Sequence, residues 1–142
     1  MNLLLIEDNP GDVRLTKEAL KENNIQITLN VAFDGEKALH YLFKEKEFVQ
    51  AETPDLIMMD INLPKRNGLE VLERIKTDPK LKKIPVIMLT TSDTYQDIDK
   101  CYSLHANAYI IKPIDFDQFV GIIKSIYDFW FLSVKLPSIH HG

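Results

Sequence analysis

Residues 54–72 read PDLIMMDINLPKRNGLEVL. Four consecutive apolar side chains, Leu56, Ile57, Met58 and Met59, follow Pro54 and stop at Asp60. A short run that is apolar at every position predicts a strand buried on both faces. Asn67 with Glu70 three residues on resembles a capping box, with asparagine in the place of the usual hydroxyl. Leu69, Leu72 and Ile75 then share one helical face until Pro79 ends the segment. A doubly buried strand running into an amphipathic helix is the unit of a parallel sheet covered by helices.

The unit recurs on both sides of this stretch. Leu3 to Ile6 is an apolar run ending at Glu7-Asp8, and Asn9-Pro10 then predicts a helix cap with proline at the first position. Ile27, Leu29 and Val31 alternate as in a strand, and Asp34-Gly35 opens a helix carrying Ala38, Leu39 and Leu42. Val86 to Leu89 ends at Thr90 and leads to a more polar helix from about Asp93 to Leu104. Tyr109-Ile110-Ile111 ends at Lys112-Pro113, and Asp115 caps a last helix expected to run to about Val134. Five such units predict an α/β fold, a flavodoxin-like doubly wound parallel sheet of order 2-1-3-4-5 with helices on both faces.

Composition narrows the class. The chain has 142 residues, 45% hydrophobic and 27% charged, with a formal charge of −4. These are ordinary globular values, which exclude disordered and low-complexity chains. One cysteine, Cys101, excludes an internal disulfide framework and suits a reducing compartment. The most apolar stretch, 119–134, is broken by Lys124 and Asp128 and falls short of the roughly 20 residues of a membrane span. No secretory leader precedes Glu7-Asp8, so a cytoplasmic chain with no membrane partner is expected, and the acidic balance argues against a nucleic-acid partner. The basic segment 65–83 is read as a solvated face, and His40, His105, His140 and His141 share no metal-ligand spacing.

Sites in open α/β sheets form at the carboxyl ends of strands, beside the reversal of strand order. Those ends carry Glu7 and Asp8, Asp60, Thr90 and Lys112. Three clustered carboxylates cannot all remain ionised without compensation. A divalent cation together with Lys112 would close that charge. Oxygen-only ligands select a hard ion, Mg2+ or Mn2+, over zinc. A carboxylate beside such an ion, an ammonium and a hydroxyl suits phosphoryl transfer to that carboxylate.

Glu7-Asp8, Asp60, Thr90 and Lys112-Pro113 resemble the signature of the receiver domain of two-component response regulators. The likeness runs over the whole sheet, with a receiver domain expected over 1–128 and a helix extension and tail over 129–142. EDNPGDVRL, DINLPKRNGLEVL, PVIMLTTS, YIIKP and the ending FWFLSVKLP (129–137) are similar to the single-domain regulators paired with bacterial phytochromes. The resemblance implies that Asp60 accepts a phosphoryl group from a histidine kinase. It implies that Glu7, Asp8, Asp60 and the backbone carbonyl of Asn62 hold Mg2+, and that Lys112 bridges to Asp60 and then to the phosphoryl group. Thr90 would donate its hydroxyl, Tyr109 would swing inward with it, and a cis peptide before Pro113 would aim Lys112. Glu7 in place of aspartate can leave a water between carboxylate and metal.

The last helix has two apolar stripes. Phe119, Ile123, Ile126 and Trp130 can face the sheet, whereas Val120, Tyr127, Phe131 and Val134 are expected to form a homodimer surface with the fifth strand. Other functions fit less well. A phosphatase with an aspartate nucleophile would need an acid two residues on, where Asn62 stands. A flavodoxin-type nucleotide site would be repelled by Glu7-Asp8. A phosphorelay intermediate, or an adaptor that works without phosphorylation, stays open.

Overall fold

The apolar run at 56–59 becomes β3 (Leu56–Met59), with all four side chains buried. In the computed structural model, which describes residues 1–137, β3 pairs in parallel with β1 (Asn2–Ile6) on one side and β4 (Val86–Thr90) on the other. β2 (Thr28–Ala32) and β5 (Ala108–Ile111) close the two edges, giving the order β2-β1-β3-β4-β5 that the five units predicted. Burial follows the order: β3 and β4 are wholly inside, while the edge strands are mostly half-exposed.

The period of two along a strand divides the core into two layers. Leu4, Ile6, Ile57, Met59, Val86 and Met88 face one side, against α2 (Gly35–Leu42) and α3 (Gly68–Thr77). Leu3, Leu5, Leu56, Met58, Ile87 and Leu89 face the other, against α1 (Pro10–Glu22) and α5 (Phe116–Tyr127). A fully buried side chain of this size is worth about 1.5–3 kcal/mol, so the two layers hold the fold. α4 (Tyr95–Ser103) covers the β5 edge of the first layer.

Side-chain caps start the helices where the sequence placed them, with one shift. Asn9, Asp34, Asn67 and Asp115 each accept a backbone N–H of the first turn. α4, expected from about Asp93, begins at Tyr95 and is capped by Thr94, its hydroxyl accepting from the Asp97 N–H at 3.2 Å. No helix among the described residues is long and apolar enough to cross a membrane.

The C-terminal stretch departs from expectation. α5 ends at Tyr127, and residues Asp128–Ser133 form a π-helical turn. Its wider i→i+5 spacing is seen in the Val134 N–H, which donates to the Phe129 carbonyl at 3.0 Å. The extra residue per turn rotates Phe131 onto the face of Ile123 and Ile126, where it is 7% exposed and packs beside Leu3, Leu20 and Met58. Phe131 is therefore core, not part of the expected dimer surface. Val120, Tyr127 and Val134 are half-buried, and the exposed apolar side chains are Phe129 and Leu132. His140 and His141 lie outside the described residues.

Candidate functional site

The strand register sets the site. Asp60 follows β3 directly, and its N–H continues the ladder to the Ile6 carbonyl at 3.1 Å. Glu7 follows β1, its N–H bonded to the Ala32 carbonyl at 3.0 Å. Lys112 follows β5, its N–H bonded to the Thr90 carbonyl at 2.7 Å. Each functional residue is thus the first beyond its strand, held by one more ladder bond than the strand itself needs. Side chains from three separated stretches meet as a result.

The centre is the Lys112 ammonium. It donates to Glu7 Oε2 at 2.6 Å, Asp60 Oδ2 at 3.1 Å and Asp12 Oδ2 at 3.2 Å. Burial pushes the Glu7 carboxyl up to about 7, although Lys112 and the Asn9 N–H draw it down. Burial works against the Lys112 charge as well, but Glu7, Asp60 and Asp12 more than offset it and hold the ammonium above the ordinary lysine range. The asymmetry has a simple source. One cation collects attraction from three carboxylates, whereas each carboxylate receives only a share of one cation. Lys112→Met is expected to lower unfolding stability by about 2 kcal/mol, since it leaves Glu7 buried with no counter-charge; urea denaturation checks this.

Asp60 itself is nearly buried, and its second oxygen, Oδ1, accepts from the Asn62 N–H at 3.3 Å. Thr90, fully buried at the end of β4, accepts from the Ser92 N–H at 3.4 Å. The Tyr109 hydroxyl donates to the Ser92 carbonyl at 2.8 Å, and burial raises that phenol's pKa. Ser92 Oγ in turn donates to Asp97 Oδ2 at 2.5 Å. The residue named for hydroxyl donation and the one named as the moving aromatic are therefore tied to the same serine.

One expectation about the site needs correction. The Lys112–Pro113 peptide is not cis; no cis bond occurs among the described residues. The ladder bond from Lys112 to Thr90 already directs the side chain at Glu7, and Pro113 simply lines the adjoining cavity of about 70 Å3. Of the residues expected to hold a metal, Glu7 and Asp60 meet on Lys112, Asp60 Oδ1 accepts from the Asn62 N–H, and Asp8 is exposed. The donor set suits a hard cation. Asp8 and the three carboxylates on Lys112 carry four formal negative charges against one positive, and all the donors are oxygen.

Sequence reading missed two contributors. Asp12 was not linked to Lys112, although an acid in the first turn directly after an acidic strand end was visible. Gly68 was given no role, yet a Cβ there would lie 2.3 Å from the Asp60 carbonyl oxygen. That approach gave no sequence signal beyond the glycine itself.

An acidic pocket at the reversal point of this sheet, spanned by a lysine from the fifth strand, defines a receiver. Residues 3–124 match the family model described as the response regulator receiver domain, and the chain belongs to that family. It is a response regulator of phosphorylation-based two-component signalling. Response regulator Rcp1 of Synechocystis sp. is 40% identical over 136 residues, 96% of this chain and 92% of its own. The crystal structure of the phosphorylated cyanobacterial phytochrome response regulator RcpA has a TM-score of 0.92 at 44% identity, covering 96% of this chain and 98% of that one. The Mn2+-bound form of Rcp1 gives 0.90 at 39%, covering 96% and 99%.

Proposed function

We propose that Asp60 accepts a phosphoryl group from a phosphohistidine of a partner histidine kinase, in a magnesium-dependent transfer, and that the modified site resets the β4–α4 loop. One observation carries the reading: Asp60, Glu7 and Lys112 close on one another from three strand ends. The Asp60 carboxylate attacks phosphorus as the P–N bond breaks, and the imidazole keeps the electron pair. Lys112 turns to a phosphoryl oxygen, and Thr90 offers its hydroxyl. Glu7, Asp8, Asp60 and the Asn62 carbonyl would hold Mg2+, with Mn2+ an alternative. The ion, when bound, neutralises charge on the transferred group. Asn62 provides no acid to a leaving group, so the acyl phosphate turns over slowly and the chain is a switch rather than a multi-turnover phosphatase.

The switch follows from Ser92. Phosphorylation adds about one negative charge and new acceptor oxygens at Asp60. Thr90 then leaves the Ser92 N–H for a phosphoryl oxygen, and Tyr109, bonded to the Ser92 carbonyl, moves with the loop. A coupling of ~1–3 kcal/mol suffices to shift such a pair of states. Leu15 and Ile114, exposed beside the cavity mouth, give the kinase an apolar footing next to the acceptor. The likeness to Rcp1 and RcpA supports a phytochrome-type photoreceptor as that kinase. We place the chain in the cytoplasm, in keeping with its one buried, free cysteine. Residues 1–128 are taken as the receiver unit and 129–142 as its extension. Incubation with acetyl phosphate and Mg2+, read by intact mass, is expected to add one phosphate; no mass gain counts against the reading.

We further infer that a second copy covers the exposed Phe129 and Leu132, with Val120, Tyr127 and Val134 at the margin. Phe131→Ala tests the tail. It is expected to lower unfolding stability by about 2 kcal/mol, because a buried ring is lost near a chain end that can partly settle into the space. The sedimentation coefficient should be that of a dimer in both proteins. A monomer with or without phosphate on Asp60 contradicts the dimer, and an unchanged melting curve contradicts the packing of Phe131.

A further inference from the structure

Lys112 has more partners than phosphoryl transfer to Asp60 requires. Bridging Asp60 to a phosphoryl oxygen uses two ammonium hydrogens. Here all three are directed at carboxylates, and the third acceptor is Asp12. Asp12 does not lie at a strand end. It sits in the first turn of α1, where its N–H donates to Asn9 Oδ1 at 3.3 Å and its carbonyl accepts from Thr16 Oγ1 at 2.9 Å. Its backbone is therefore fixed at the start of a helix, where a negative charge is favoured. The Asp12 side chain is 38% exposed, against 10% for Lys112 and 4% for Glu7. Asp12 thus meets the ammonium from the solvent side, whereas Glu7 meets it from the buried side.

We propose that Asp12 is a positioning residue: it holds the Lys112 ammonium toward α1 and must release it before the lysine bridges to a phosphoryl group on Asp60. The inference rests on the assignment of Asp60 as acceptor. Lys112 is shared among an acid that will be modified, an acid at the metal side and an acid with no part in the transfer. The last of these acts as a brake. Its removal frees the lysine.

The test times phosphate incorporation from acetyl phosphate at saturating magnesium chloride, by intact mass. Asp60 forms the new O–P bond while the donor's P–O bond breaks and acetate leaves with the electron pair. Asp12→Asn and Asp12→Ala are expected to react about three- to fivefold faster, the scale of one partly exposed charge pair expressed as a rate. Asp12→Glu, which keeps a carboxylate within reach of the ammonium, should return to the wild-type rate. In a Lys112→Met background, Asp12→Asn should change nothing. If Lys112→Met labels too slowly to time, the urea midpoint reads the same pair: Asp12→Asn lowers it more in the wild type than in Lys112→Met, where only the helix-end charge is lost. A wild-type rate in Asp12→Asn overturns the inference, since loss of a helix-end charge alone would move only stability. An equal effect of Asp12→Asn with and without Lys112 also overturns it, because the charge would then act on the donor directly. Continued labelling of Asp60→Asn is a different result, and shows that the acceptor was misassigned.

Discussion

Asp60→Asn is expected to abolish phosphate incorporation, reducing it at least ~10³-fold and leaving only background mass gain from acetyl phosphate or a phosphorylated kinase. An amide has no anionic oxygen to attack phosphorus, and no neighbouring base can make one. The substitution is nearly isosteric. The asparagine carbonyl can still accept from the Asn62 N–H, as Asp60 Oδ1 does now. Lys112 retains Glu7 and Asp12. Stability should therefore change by less than about 1 kcal/mol, which separates loss of chemistry from loss of fold. A folded Asp60→Asn protein that still gains phosphate would point to another carboxylate, and peptide mapping would identify it.

Gly68→Ala is expected to cost on the order of 4 kcal/mol and to slow labelling as well. The new methyl would lie 2.3 Å from the Asp60 carbonyl oxygen and 2.7 Å from the Ile61 Cα. Both are backbone atoms, so no side chain can turn aside. Asp60 is tied through its N–H to the Ile6 carbonyl, and the Gly68 N–H donates to the Ile61 carbonyl at 2.7 Å. The β3–α3 loop can admit a methyl only by breaking these bonds or tilting α3 away. Against a typical total of roughly 5–15 kcal/mol, the loss is large. Melting and urea curves measure it. A near-normal midpoint in Gly68→Ala would mean that the loop has slack which the close packing does not suggest.

How much of this was legible beforehand depends on the range of the interaction. Pro10, Asn9, Asp34, Asn67 and Asp115 act within one helical turn, so their caps could be read from neighbours in sequence. The apolar runs at 3–6, 56–59 and 86–89 each have to be buried on both faces, which left a central parallel sheet as the economical solution. Once the strand order was set, Glu7, Asp60, Thr90 and Lys112 had to stand at one end of it.

Other features were out of reach. Phe131 was assigned to an outer stripe by counting 3.6 residues per turn, and the π-helical turn over Asp128–Ser133 broke that count. Its location follows from the space between Leu20, Met58 and Ile126, which exists only when α1, β3 and α5 are assembled. The place of Lys112 was hidden for a related reason: charge balance in a sequence says how many cations are wanted, not where the lysine will stand.

By itself, then, the sequence determined the five units, their caps, the doubly wound sheet and the list of strand-end residues available for chemistry. These are set by short-range capping bonds and by the demand that continuous apolar runs be covered on both sides. Tertiary structure alone decided that Asp12 shares Lys112, that Gly68 lies against the Asp60 carbonyl, that Ser92 joins Thr90 to Tyr109, and that Phe131 turns inward. Each of these depends on distances of a few ångströms between elements far apart in the chain, and such distances are fixed by packing, which no local pattern encodes.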